Sequence, residues 1–337
     1  MGFVDEVIMS KPEAAVKIDV SALLIDLAER VPDPQPISRI RANLIASRGN
    51  VSTVVGLAKS RKTFLTASIA SGFLSPSDFL GFDTPATGKV VYIDTEQSRA
   101  YVHKVARRIL RCIDLPTDRN HEKLIVAALR ELTPDQRKEA TGEILRRYKP
   151  DLLIIDGIAD LCNDPNDLHE SEALTCELMR WSSEYDNHIL CVLHSNPGGE
   201  KARGHLGSAL LRKSETVMLV KADGETSVVS PQYCRNEPFT EFAFQINAEG
   251  LPELCGIPAP QPKENVYAEI MEVGKVYSFS ELVGLLVERC NVKEGSAKVK
   301  ISRAAKAGVI VKNQAGDYYL PSSHVEAVQP ELSNEPF

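Results

Sequence analysis

Residues Val51–Leu65 read VSTVVGLAKSRKTFL, in which a short apolar run leads into a turn at Gly56, the pair Lys62-Thr63 and a helical pattern. This order predicts a strand, a phosphate-binding loop and a helix, in which backbone N–H groups surround phosphates and the threonine hydroxyl holds Mg²⁺. The alternative is a basic surface turn. The residues expected to contact the nucleotide are Gly56, Ala58, Lys59, Ser60, Arg61, Lys62, Thr63 and Phe64.

Arg61 departs from the usual pattern of such loops, GxxxxGK[ST], because it occupies the position of the second glycine. A residue with a Cβ is harder to place in a tight anion-binding turn. Two consequences are therefore open: the loop is distorted, or Arg61 adds a positive charge at the phosphates or toward a neighbouring subunit.

Three further apolar runs follow this loop, at Lys89–Asp94, Asp151–Asp156 and His188–Leu193, and the stretch Pro134–Arg147 is amphipathic. Continuous apolar runs between helices are typical of a parallel sheet that is covered on both faces. The predicted fold class is therefore α/β.

Polar side chains stand at the ends of these runs. Asp156 is expected to orient Mg²⁺ and its waters, and the alternative is a strand-end cap. Glu96 is placed to polarise an attacking water, whereas Asp94, still within the strand, is the weaker candidate. His194 opens a stretch that is rich in glycine and basic residues.

From Val51 to Ile246 these motifs resemble the RecA-like ATPase core. More narrowly, they resemble the RepA and DnaB type of hexameric helicase and the related ATPases carried by plasmids and mobilizable elements. The resemblance implies a mostly parallel RecA-like sheet covered by helices, with ATP and Mg²⁺ as cofactors. It also implies a ring-shaped homo-oligomer that acts on DNA.

The resemblance also implies roles for single residues. Lys62 binds phosphate, Thr63 and Asp156 bind Mg²⁺, Glu96 is the catalytic base, and His194 is the sensor that links the γ-phosphate to a DNA-facing loop.

That loop is expected at Ser195–Lys213, where basic side chains would contact the backbone of single-stranded DNA. Such contacts require positive charge but do not recognise the base sequence. Its basic residues are Lys201, Arg203, Arg212 and Lys213. Arg235, in QYCRNEP, matches the residue that in this family reaches the ATP of the adjacent subunit. Tyr233 stands where the family often has a lysine, and an ordinary surface arginine is the alternative for Arg235.

The overall composition limits the possible functions. The net charge of −7 argues against a protein that coats nucleic acid along its whole surface, so the relevant positive charge must be local. The 43% of apolar residues include no long apolar run, which predicts a soluble core and no membrane span. No N-terminal segment has the order of a signal peptide, and the expected location is the cytoplasm.

A small separate domain is expected at residues 265–321, after a Pro-rich linker at residues 256–264. Its predicted elements are a helix at Val266–Val273, a second helix from a capping box of Ser278 and Glu281 through Cys290, a third at Ser296–Ala307, and a hairpin of Val309–Lys312 with Asp317–Leu320.

Three helices and a hairpin in this order resemble a winged helix. The third helix carries Lys298, Arg303 and Lys306, as a helix that contacts the phosphates of duplex DNA would. The alternative is a winged helix used for protein contacts.

Residues 1–36 are expected to form an amphipathic helix and a Pro-rich linker before the ATPase core at residues 37–255. Val20, Leu23, Leu24, Leu27 and Val31 follow helical spacing. Such a helix could dock on a neighbouring protomer or pack on its own core. Residues 322–337 are expected to form a disordered tail.

These observations predict an ATP-hydrolysing, oligomeric motor associated with DNA, of the replicative helicase kind, in a mobile element or plasmid. The alternative is a regulator in which ATP binding switches assembly or DNA occupancy without translocation, and Arg61 is its best support. A small-molecule phosphotransferase is disfavoured by the features that follow Asp156.

Overall fold

The computed structural model of the 337-residue chain describes residues 20–75, 79–84, 88–196, 199, 201–259 and 265–321. The chain divides into two compact units, Met1–Ile257 and Pro258–Phe337. The expected tail at 322–337 and most of the expected linker, residues 260–264, lie outside the described residues.

The first unit begins with three strands, continues with helices between strands up to Lys213, and ends in strands alone. In chain order its elements are β1 (Pro36–Ile40), β2 (Asn43–Ser47), β3 (Val51–Gly56), α1 (Lys62–Leu74), β4 (Phe82–Asp83), β5 (Val90–Asp94), α2 (Arg99–Arg111), β6 (Leu124–Ala128), α3 (Pro134–Tyr148), β7 (Leu152–Asp156), α4 (Leu168–Glu184), β8 (His188–His194), α5 (Gly204–Lys213), β9 (Thr216–Asp223), β10 (Thr226–Cys234), β11 (Phe242–Ile246) and β12 (Pro252–Cys255).

A nine-stranded sheet organises this unit, in the order β12-β11-β10-β9-β3-β8-β7-β5-β6. The strands from β9 to β6 are parallel, and β9 to β12 pair in antiparallel fashion. A second, three-stranded antiparallel sheet has the order β2-β1-β4. The predicted α/β class is confirmed, and the mostly parallel core with its helices fits a RecA-like fold.

The central strands are buried throughout because both faces of the sheet are covered. Every residue of β3, β5 and β7 is buried. One core joins the sheet to α1 and α2 through residues such as Phe73 and Ile109. A second core joins it to α3, α4 and α5 through Leu145, Leu178 and Leu206.

Of the expected N-terminal segment, residues 1–19 lie outside the described residues, and the prediction of a helix that continues to Val31 is wrong. A single 3₁₀ turn spans Val20–Leu23, and the side chains of Leu24, Leu27 and Val31 are at least 71% exposed. A helix of about 12 residues is marginal in water unless an apolar face is packed. Within the described part of the chain, these side chains stay exposed and no packed face stabilises such a helix.

The expected loop Ser195–Lys213 is only partly a loop. Its second half is the helix α5, in which Leu206, Ala209 and Leu210 are buried. The 3.6-residue spacing of these apolar residues favours a helix that packs on the sheet. Residues 197, 198 and 200 lie outside the described residues.

The second unit contains α6 (Val266–Ile270), α7 (Phe279–Cys290), α8 (Glu294–Lys306) and a hairpin of β13 (Val311–Lys312) and β14 (Tyr318–Tyr319). These elements share one apolar core. The predicted capping box is present at the start of α7. The first helix ends at Ile270 instead of Val273, because Met271 is extended. The third helix begins at Glu294, two residues earlier than predicted.

Among the helices of the described residues, none combines the length and the apolar character that crossing a bilayer requires.

Candidate functional site

The carboxyl ends of the parallel strands bring the predicted polar residues to one edge of the sheet. Gly56, which ends β3, is paired with His194 at the end of β8. Asp94, which ends β5, is paired with Asp156 at the end of β7. Because β3, β8, β7 and β5 are consecutive in the sheet, these four positions lie side by side at the carboxyl ends of the strands.

The segment between β3 and α1 forms the tight loop that the sequence predicts. A Cβ on Gly56 would overlap the carbonyl oxygen of Val220 and would lie 2.7 Å from Ser60 Oγ, so only glycine fits there. Lys59 and Arg61 both have left-handed backbones, with φ of 65° and 67°. A side chain in this conformation costs about 1 kcal/mol. The loop therefore keeps the backbone that a glycine usually supplies at position 61.

The guanidinium of Arg61 contacts the hairpin between β9 and β10. It donates to the carbonyl oxygens of Gly224 and Thr226, at 3.0 and 3.2 Å, and to Ser227 Oγ at 3.1 Å. The guanidinium is therefore paired with acceptors of its own chain, and a role at the phosphates or toward a neighbouring subunit stays a prediction. The backbone of Arg61 remains part of the loop, and its carbonyl accepts the first bonds of α1.

Lys62 lies inside the loop and contacts His194. Its Nζ donates to the carbonyl oxygens of Gly56 and Leu57, at 2.9 and 2.8 Å, and lies 3.2 Å from His194 Nδ1. Burial lowers the pKa of Lys62, and the charges of Asp156 and Glu96 oppose that shift.

His194 connects Lys62 to Glu96. Its Nε2 lies 3.2 Å from Glu96 Oε1. An ammonium group has only donors, so Nδ1 must accept from Lys62, and the proton of the neutral ring must then be on Nε2, which donates to Glu96. The arrangement fixes one tautomer of His194.

Glu96 is kept ionised at the mouth of the site. The hydrogen bond from His194 lowers the pKa of Glu96, and the charge of Lys62 acts in the same direction, against the effect of burial. A Cβ on Gly157 would come within 2.8 Å of Glu96 Oε1, so a glycine there leaves room for the carboxylate. An ionised, partly exposed carboxylate is suited to accept a proton from water.

Asp156 and Thr63 bring two hard oxygen atoms together. Thr63 Oγ1 donates to Asp156 Oδ2 at 2.8 Å, and the hydroxyl of Tyr92 donates to the same oxygen at 2.9 Å. Burial raises the pKa of Asp156 from 3.8 to about 6, in spite of these two hydrogen bonds. A hydroxyl and a buried carboxylate at this separation suit Mg²⁺, and a cation would remove the cost of ionising Asp156.

Two residues of β5 that the sequence reasoning missed or ranked low support this site. Tyr92 is fully buried, and its hydroxyl also lies 3.0 Å from Thr66 Oγ1. Asp94 accepts from the backbone N–H groups of Glu96 and Gln97, at 3.1 and 2.7 Å, and therefore shapes the turn that presents Glu96. The sequence signal for both residues is their spacing: Tyr92 and Asp94 are two residues apart in an otherwise aliphatic strand, so their side chains lie on the same face of the sheet.

The predicted DNA-contacting residues of the first unit are divided between the two edges of the sheet. Lys201 and Arg203 lie beside the site, where the backbone of Arg203 donates to the carbonyl oxygen of His194. Arg212 and Lys213 end α5, which at 1.5 Å per residue places them roughly 15 Å away. All four side chains are exposed, but they do not form one loop as predicted.

Arg235 lies at the edge opposite to the phosphate-binding loop. β10 runs antiparallel to β9, so it starts near the loop and ends at the far edge. The guanidinium of Arg235 donates to the carbonyl oxygen of Lys213 at 2.8 Å. The side chain is exposed and does not reach the phosphate-binding loop of its own chain.

The three basic residues predicted to contact DNA in the second unit lie on α8 and are exposed. Lys298 Nζ is 2.7 Å from Glu294 Oε1, because the earlier start of α8 brings this acid one turn before the lysine. Arg303 and Lys306 lie in its last turn. Of the three predicted residues, the two near the C-terminus of α8 are therefore not the ones that Glu294 neutralises.

A protein-family model described as an AAA domain matches residues 18–200, which is more than half of the 337 residues. The matched segment includes the phosphate-binding loop, Glu96, Asp156 and His194. No curated protein matches the chain at a significant level.

Proposed function

Since the chain belongs to the AAA domain family, a family of P-loop ATPases, we propose that it is an ATP-hydrolysing, oligomeric, DNA-associated motor. More narrowly, we propose a helicase of the RepA and DnaB type that serves a plasmid or other mobile element. The observation that supports hydrolysis best is the chain of contacts from Lys62 through His194 to Glu96, because it joins the phosphate-binding loop to a candidate base.

The phosphates of ATP would be bound by the loop between β3 and α1. Backbone N–H groups at the N-terminus of a helix attract anions, and the ammonium group of Lys62 already lies within the loop. Thr63 and Asp156 would hold Mg²⁺, which when bound neutralises charge on the phosphates. Tyr92 keeps the carboxylate of Asp156 in place through its hydroxyl.

Glu96 would act as the base that orients and deprotonates the attacking water. His194 holds this carboxylate through its Nε2, and it also contacts Lys62 through Nδ1. A change at Lys62 when phosphate binds or leaves therefore reaches both the base and the segment after His194. That segment begins with Ser195, whose backbone donates to the carbonyl oxygen of Gly56.

DNA would contact the basic residues of both units. Lys201 and Arg203 follow His194 directly and are the members of the predicted set that can respond to the nucleotide. The elements of the second unit support the proposal of a winged helix that contacts duplex DNA through Arg303 and Lys306, with a smaller contribution from the paired Lys298.

Two observations support an oligomer. Arg235 is exposed at the sheet edge that lies away from its own phosphate-binding loop, so a role at ATP requires an adjacent subunit. The segment around Leu23, Leu24 and Leu27 exposes apolar side chains that a second copy would bury.

The deciding experiment is ATP hydrolysis by the purified protein, measured with and without single-stranded DNA. We expect DNA to stimulate hydrolysis, and Lys62→Ala to abolish it, because the charge that stabilises the transferring phosphoryl group is lost. Lys138→Ala, on the exposed face of α3, is the matched control.

The outcome also separates the two functions. Unchanged hydrolysis by the Lys62→Ala protein would refute the assignment of the site. A parent protein that binds ATP but hardly turns it over, with or without DNA, would support the ATP-switched regulator instead of the motor.

A further inference from the structure

Arg61 connects the phosphate-binding loop to a hairpin that is far from it in sequence. Its guanidinium bonds to three acceptors of the β9–β10 hairpin: Gly224 in the turn, and Thr226 and Ser227 at the start of β10. A glycine, the residue usual at this position of the loop, could make none of these bonds.

The hairpin is also attached to the residue before Arg61. Ser227 Oγ accepts from Arg61 and donates to the carbonyl oxygen of Ser60 at 3.2 Å. Both serines are essentially inaccessible to solvent, at 0% and 1% exposure. Bonds in such an environment are shielded from competition with water and depend on the loop keeping its position.

The strand that leads into the hairpin lies directly behind the loop. Val220 of β9 is paired with Gly56, and its carbonyl oxygen occupies the space where a Cβ of Gly56 would lie. The hairpin tip therefore projects beside the loop, and Arg61 closes the gap between them. From this tip β10 runs alongside β9 to Cys234, the residue before Arg235.

We propose that Arg61 is a positioning residue: it fastens the β9–β10 hairpin to the phosphate-binding loop, so that the order of the hairpin follows nucleotide occupancy and the loop is preorganised for ATP. This inference rests on the proposed function for its link to ATP. The attachment of the hairpin itself is a property of the nucleotide-free chain and can be measured separately.

The experiment compares three variants with the parent. Arg61→Gly removes the guanidinium while permitting the left-handed backbone. Ser227→Ala removes one acceptor and the bond to Ser60, but leaves the two carbonyl acceptors. The matched control is Arg41→Gly, because Arg41 is also an arginine with positive φ, 54°, but it is exposed and lies in the turn between β1 and β2.

Hydrogen exchange of residues 220–228 is measured on the full chain with and without ATP, together with the KM and kcat of hydrolysis. In the parent we expect ATP to slow exchange of the hairpin. In the Arg61→Gly protein we expect exchange to be about tenfold faster without ATP and insensitive to it, because bonds from a charged donor are lost.

For hydrolysis we expect the KM of the Arg61→Gly protein to rise about tenfold and its kcat to change far less, because the change acts on binding. Ser227→Ala should fall between the parent and Arg61→Gly, and Arg41→Gly should match the parent in both measurements.

Three results would overturn the proposal. The first is hairpin exchange in the Arg61→Gly protein equal to that of the parent. The second is a kcat that falls about 100-fold with an unchanged KM, since this would place Arg61 at the phosphates or at a neighbouring subunit. If Arg61→Gly does not fold, Ser227→Ala decides, and unchanged hairpin exchange in that variant is the third. A parent with the expected exchange pattern but no hydrolysis would refute the proposed motor and leave the hairpin attachment standing.

Discussion

Replacing Asp156 by Asn tests whether the buried carboxylate destabilises the metal-free protein and binds a cation. Its pKa is raised to about 6 in the folded chain, from 3.8. The folded chain therefore binds more protons than the unfolded chain between these values, and the metal-free protein loses stability as pH rises through this window. At 1.36 kcal/mol per pKa unit the loss amounts to about 3 kcal/mol above pH 6.

Asn cannot ionise, and its carbonyl oxygen can still accept from Thr63 and Tyr92. We expect the free energy of unfolding of Asp156→Asn in EDTA to exceed that of the parent by up to about 3 kcal/mol at pH 8 and to approach it near pH 4. Mg²⁺ should stabilise the parent at pH 8 and leave the variant unchanged, while hydrolysis is lost in the variant.

The assay is urea unfolding in EDTA at several pH values between 4 and 8, repeated with Mg²⁺ at pH 8. The control is Asp83→Asn, an exposed aspartate on β4, which should not alter the pH dependence. The reasoning is refuted if Asp156→Asn and the parent lose stability in parallel as pH rises, because the buried charge would then cost nothing.

Three further outcomes are expected. Glu96→Gln should retain ATP affinity and lower kcat by about 10²–10⁴, because the amide keeps the shape and removes the base; loss of nucleotide binding in the folded variant, relative to the control Glu139→Gln, would make Glu96 structural. His194→Ala should leave basal hydrolysis largely intact and weaken its stimulation by single-stranded DNA; equal stimulation would exclude the coupling role. Replacing Lys298, Arg303 and Lys306 by Ala should reduce the salt slope of duplex binding by about 2, at 0.9 per contact and with Lys298 already paired to an acid; an unchanged slope in anisotropy titrations would leave the second unit as a protein-contact module.

Much of the site could be predicted from the sequence because its parts are local. The phosphate-binding loop is one contiguous segment, and the strands around it are continuous apolar runs with polar residues at their ends. Parallel strands align their carboxyl ends at one edge, so Glu96, Asp156 and His194 were expected at the same edge, whereas the folded sheet decided which strands are neighbours. The capping box at Ser278 was predictable for the same reason, since its partners are three residues apart.

The tertiary structure decided what depends on partners distant in sequence. The direction of the Arg61 side chain is set by a hairpin that the local pattern does not reveal. The apolar spacing from Val20 to Val31 predicted a helix, but such spacing yields a stable helix only when another surface buries it. The glycine-rich, basic composition from Lys201 to Lys213 favours one loop, whereas packing of Leu206 and Leu210 against the sheet makes half of it a helix and places its charges at opposite edges. A periodic pattern shows which side chains can be buried together, and only the folded chain determines the surface against which they are buried.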